Sequence, residues 1–241
     1  MLAAGCGRLG FDAPGADGGD GARDVLMDTG AGGDGAGMPA VTLTQSTPAI
    51  IGIGPQTVTL PNPTVSGSLL VATFGVNTTS LTLPTGWFIN ATAQVTGACD
   101  SLIVTNVTGM AGQQSFTFTL PGGAPVALQL SEWTGIDLGN PFDVAGFGGS
   151  MTPANPLTIS TVGSTSAAGD LAVAAFCEDS TSPTFTPGAG WTELGQAANT
   201  SASPSLITEF QRSVPASVVT ATATSSITTK YAGSILTFHS R

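Results

Sequence analysis

Ser115-Phe116-Thr117-Phe118-Thr119-Leu120 alternates without a break, Phe, Phe and Leu to one side and Ser and Thr to the other. Successive side chains of a strand leave on opposite faces, so this run is a strand with one face in a core and one in water. Val126, Leu128 and Leu130 keep the same period in the next run. From Val41 onward the chain is built of such short runs, broken by Pro, Gly and Asn, and no stretch carries a helical period. The reading is all-β.

Composition agrees. Charged residues are 8% of the 241, against roughly 25% in an ordinary soluble protein. Thr, Ser, Gly and Ala fill the gap, and β-branched Thr suits a wet pleated surface. Wet helix faces would call for Lys, Arg, Glu and Gln, yet Lys230 is the single lysine. The net charge of −10 sets five Lys and Arg against fifteen Asp and Glu. Phosphate backbones are bound by clustered cations, and none are clustered here, so nucleic acid is excluded as a partner. An anionic membrane surface is disfavoured for the same reason. No apolar run is long enough to span a bilayer as a helix, so any membrane link is expected to be covalent.

The region beyond residue 40 reads as an internal duplication. Gly67-Ser68-Leu69-Leu70-Val71-Ala72-Thr73-Phe74 returns as Gly169-Asp170-Leu171-Ala172-Val173-Ala174-Ala175-Phe176. Pro84-Thr85-Gly86-Trp87 returns as Gly188-Ala189-Gly190-Trp191, and Ser101-Leu102-Ile103 as Ser205-Leu206-Ile207. Phe116, Phe118 and Leu120 correspond to Val219, Ala221 and Ala223, and the run ending at Trp133 to the run ending at Phe238. The halves are about 41–137 and 138–241. The two halves could form two small sandwiches, but the expectation is one β-sandwich domain over 40–241, each half supplying strands to both sheets. The connection 134–156 carries Phe142, Phe147 and Met151 and reads as a packed loop.

The order of these signals resembles a jelly-roll-like β-sandwich module found in secreted bacterial and phage-tail-like proteins. A Gly-Asp-Leu strand, a Pro-x-Gly-Trp turn and a last strand entering Gly135-Ile136-Asp137 carry the likeness. It implies fold and export, and is tied to no single activity. The first half departs from it, with Ser68 where the second has Asp170.

Met1-Leu2-Ala3-Ala4-Gly5-Cys6 resembles the end of a bacterial lipoprotein signal, in which the cysteine is acylated. The resemblance implies a lipid anchor on Cys6, with 1–6 a signal remnant. Residues 7–39 are Gly, Ala and Asp with few bulky side chains. Such a segment buries too little apolar surface to offset chain entropy and reads as a disordered acidic tether.

The remaining cysteines, Cys99 and Cys177, are either a disulfide or two separate buried thiols. No metal-ligand spacing is present, and no cofactor is expected. His239, the only histidine, sits near the chain's end, a poor place for a catalytic imidazole. Glu132 with Glu209 is one conceivable glycosidase pair, but no strand carries clustered carboxylates. Trp87 and Trp191 occupy equivalent places and so read as packing residues. Trp133 alternates with Ala127, Gln129 and Ser131 and is expected to be the exposed aromatic. With Asp137, Phe142, Asp143 and Phe147 it makes the candidate ligand-binding set, since loops at the end of a sandwich commonly carry binding.

The expectation is therefore an exported, non-catalytic binding or adhesion module at the cell surface or outer membrane. Its partner would be a glycan or another surface protein. The alternatives are a structural spacer of the envelope or an extracellular assembly and, last, a glycan-active enzyme.

Overall fold

The computed structural model describes residues 40–78, 80–108, 111–200 and 204–241. Cys6 and the 7–39 tether lie outside the described residues. What is described is all-β: sixteen strands and one 3-10 turn, Pro121–Gly123.

The first half contains β1 (Thr42–Ser46), β2 (Ile50–Ile53), β3 (Gln56–Thr59), β4 (Leu69–Val76), β5 (Trp87–Ala93), β6 (Asp100–Asn106), β7 (Ser115–Phe118) and β8 (Pro125–Thr134). The second contains β9 (Phe142–Ala154), β10 (Leu157–Ser164), β11 (Asp170–Asp179), β12 (Phe185–Pro187), β13 (Thr192–Ala197), β14 (Pro204–Val214), β15 (Val218–Ser225) and β16 (Thr229–Phe238). Each half forms a large antiparallel sheet and a small one. The large sheets run β1-β8-β4-β6-β5, with β2 also on β8, and β9-β16-β11-β14-β13. These orders match position for position, so the repeat seen in sequence is a repeat of topology. The small sheets match as well: β3-β7 with a bridge Thr82↔Thr119, and β10-β15-β12 with Thr186 opposite Thr224.

One expectation changes. No named sheet mixes strands of the two halves; each half is a sandwich in its own right, and the two large sheets stack face to face. Three cores result. Leu70, Ala72, Phe74, Trp87, Phe116 and Phe118 fill the first sandwich. Ala172, Phe176, Trp191, Ile207, Val219 and Ile235 fill the second. Leu69, Val71, Ile103 and Trp133 meet Leu171, Val173, Phe210 and Phe238 between the large sheets. The reason lies in the strand patterns. β7 alternates exposed and buried, as an outer layer does, whereas all eight residues of β4 are buried because both its faces are covered.

The connection 134–156 is also mostly strand rather than loop, since Phe142–Ala154 forms β9 on the edge of the second large sheet. It takes the place that β1 and β2 hold in the first.

Polar links tie the halves across their shared core. Thr73 and Thr208 share a hydroxyl hydrogen bond of 2.6 Å, and Ser101 Oγ donates to the Ala175 carbonyl at 3.0 Å. Cys99 and Cys177 form a disulfide between the halves, with Cα atoms 5.9 Å apart. The first-half equivalent of Cys177 is Gly75. A Cβ there would lie 2.8 Å from the Cys177 sulfur, so the glycine leaves the room the disulfide occupies.

Candidate functional site

The end of β16 runs into Phe238-His239-Ser240-Arg241, and the segment after β8 wraps around it. Asp137 N–H donates to the His239 carbonyl at 2.9 Å, His239 N–H to Pro141 at 3.1 Å, and Arg241 N–H to Gly135 at 2.9 Å. This clasp sets the imidazole between two carboxylates. Asp170, first residue of β11, places Oδ2 3.4 Å from His239 Nδ1. Asp143, second residue of β9, places Oδ1 3.9 Å from Nε2.

Backbone amides orient both acids. Ser240 N–H donates to Asp170 Oδ1 at 3.1 Å, and Ser166 N–H to Asp143 Oδ2 at 2.8 Å. Asp170 is 1% exposed, and its Oδ2 accepts no hydrogen bond. Burial pushes its carboxyl above the usual range; the Ser240 amide and the His239 charge pull it back, and the Asp143 carboxylate pushes it up again. The imidazole thus faces one carboxylate through each of its two nitrogens.

A cavity of about 460 Å³ opens beside this cluster, lined by Ala40, Val41, Gly169, Arg212, Ser213, Ser240 and Arg241. Gly169 and Ser240 are the chain neighbours of Asp170 and His239. Of the three Lys and Arg beyond residue 40, two line this one cavity. Among the described residues neither arginine makes an ion pair.

The first half shows what the fold itself requires here. The positions of Asp143, Asp170 and His239 are held by Thr44, Ser68 and Thr134. Thr44 Oγ1 lies 3.5 Å from Thr134 Oγ1, and Ser68 Oγ donates to Glu132 Oε1 at 2.6 Å. Glu132 is buried but satisfied, with Val65 N–H at 2.7 Å and the Gln45 amide as further donors. A charged cluster is thus a property of the second half alone.

The candidate residues read from sequence fall out as follows. Trp133 is not an exposed aromatic: it is 0% exposed, edge-on to Phe210 at 5.0 Å between centroids, its indole N–H on Ser131 Oγ. Its neighbours Gln129 and Ser131 are polar, yet they face the shared core, where the second large sheet covers them. Phe142 packs against Phe238, with ring centroids 6.0 Å apart. Asp137 holds a turn through Gly139 N–H. Asp143 belongs to the cluster, and Phe147 is 60% exposed on β9. Glu132 and Glu209 are both fully buried, one in each sandwich. Trp87 and Trp191 are both buried; the Trp191 indole donates to Thr220 O at 3.1 Å.

Asp170 and His239 were missing from that candidate set. The signal lay in the duplication, where a Ser became Asp and a Thr became His in matching places.

Two stacked sandwiches with an acid–histidine cluster beside an arginine-lined cavity describe this chain. No family model matches it, and neither a curated protein nor a solved structure does.

Proposed function

We infer that the chain is a non-catalytic binding module of the cell surface, held there by lipid on Cys6, and that its ligand carries negative charge. The observation behind this reading is a cavity lined by two arginines that make no ion pair among the described residues, in a protein of net charge −10. Arginine is the side chain best suited to carboxylate or sulfate groups, because its planar fork donates two parallel hydrogen bonds. Ser213 and Ser240 also line it. Acidic glycans fit these requirements: they repeat a charged group, and a surface module meets them in quantity.

The test is a binding screen of the full chain against uronic-acid and sulfated glycans, with uncharged glycans as control. Acidic glycans should bind, and changing Arg212 and Arg241 together to Ala should abolish that binding while the melting temperature holds. Equal retention of neutral glycans, or no retention of any, would favour the spacer role. Expressed behind a complete lipoprotein signal, the protein should partition into detergent, and Cys6→Ser should release it.

A further inference from the structure

The halves share strand order and connections, so a charged group present in one and neutral in the other is not demanded by the fold. The niche at the end of β16 is such a place, with Asp143, Asp170 and His239 where the first half has Thr44, Ser68 and Thr134. Each acid commits one oxygen to a backbone amide and turns the other toward the imidazole. That division of labour is typical of metal ligands, whose outer partners fix their orientation.

Asp170 Oδ2 is the second observation. It is buried, accepts no hydrogen bond and points into the cluster. Its 3.4 Å to Nδ1 is longer than the roughly 2.7–3.2 Å of an N–H···O bond. It matches the edge of a tetrahedron with bonds of about 2.0–2.2 Å, roughly 3.3–3.6 Å. One ligand atom from each of the three side chains falls within 4.8 Å of the others. Asp143 Oδ1 now faces Nε2 at 3.9 Å and Asp170 Oδ2 faces Nδ1, so Asp143, the more exposed acid, would have to shift for the three side chains to share one ion.

We propose that Asp143, Asp170 and His239 bind one divalent cation of borderline softness, zinc being the best match. An imidazole nitrogen argues against the hard cations calcium and magnesium, which take oxygen ligands. The absence of thiolate or thioether in the set argues against copper(I). Three protein ligands leave a tetrahedral zinc one open position. The neighbouring cavity is lined by Gly169 and Ser240, which flank Asp170 and His239 in the chain. The cation would also pin β9, β11 and the end of β16 to one another. This site goes beyond the acidic-glycan reading and does not depend on it.

The test uses the full chain, stripped with a chelator and titrated calorimetrically with zinc and, separately, with calcium. One zinc per chain should bind with a Kd of about micromolar or tighter, raise the melting temperature, and appear as a single adduct by native mass spectrometry. The variant Asp143→Thr, Asp170→Ser, His239→Thr carries the first half's own residues, which this fold already accommodates. It should lose more than the roughly 10–100-fold that an outer-shell partner is worth, with an unchanged circular dichroism spectrum. Should the triple variant fail to fold, His239→Thr alone carries the comparison. Zinc binding that is absent, or equally tight in the variants, overturns the site; calcium binding as tight as zinc overturns the assigned class. The Arg212→Ala, Arg241→Ala variant should bind zinc normally, so a failure of the glycan reading and a failure of the metal site are told apart.

Discussion

Glu209 allows a prediction with a definite sign. It lies on β14 with its side chain inside the second sandwich, fully buried. Its one hydrogen bond is from Gly188 N–H to Oε2 at 3.4 Å, and Oε1 has no partner. Burial pushes its carboxyl from 4.5 up to about 8, the Gly188 amide pulling slightly the other way. The folded protein therefore keeps a proton that the unfolded chain releases above about 4.5. Folding is favoured most below that pH, and stability falls as pH rises until the folded carboxyl also ionises near 8. At 1.36 kcal/mol per unit over about 3.5 units, this one group costs about 5 kcal/mol by pH 9. Glu209→Gln removes the charge and keeps the shape. Urea unfolding midpoints for both proteins between pH 4 and 9 should coincide within about 1 kcal/mol at the acid end, then diverge in the variant's favour at roughly 1.4 kcal/mol per unit. Glu178, Asp100 and Asp170 are raised as well, by burial first, and slope the same way. The difference between the two proteins cancels their contribution. A difference that stays constant across pH 5 to 8 would refute the reasoning.

Three further outcomes are expected. Replacing Cys99 and Cys177 with Ala opens a loop spanning 78 positions, which the chain-entropy model values at about 4–5 kcal/mol; denaturation with and without reductant measures it. Trp133→Ala should cost about 3–5 kcal/mol as a large-to-small core change, while Phe147→Ala on the exposed edge should stay within about 0.5 kcal/mol, by the same assay. Residues 41–137 and 138–241 produced separately should each fold and then self-associate, because each exposes the apolar face that Leu69, Val71 and Trp133 or Leu171, Val173 and Phe238 now cover. Mixing them should yield a one-to-one complex by sedimentation, and two stable monomers that ignore each other would contradict the shared core.

Much of this molecule was legible in one dimension. Period-two alternation at Phe116, Phe118 and Leu120 is a local consequence of strand geometry, so strand content needed no tertiary knowledge. The duplication likewise announced itself, because equivalent strands face equivalent cores: Trp87 and Trp191 each close one, and both are buried. The unbroken apolar runs of β4 and β11 also held the clue that the large sheets are covered twice. The expectation of one sandwich with shared sheets rested instead on the connection 134–156, whose apolar residues made it read as a packed loop.

The rest depended on partners that are far apart in sequence. Polar spacing made Trp133 look exposed, but what covers a strand face is decided by the sheet stacked on it, and Phe210 comes from the other half. Asp143 was selected for its neighbours Phe142 and Phe147, yet of its chemical partners Asp170 begins one strand and His239 follows the end of another. The Cys99–Cys177 bond was one of two readings until the stacking of the large sheets brought the residues together. The sequence by itself determined strands, repeat and charge, since each follows from local geometry or from counting. Only the tertiary structure decided which faces meet and which acids flank the histidine, because side chains distant along the chain become neighbours only when sheets pair and stack.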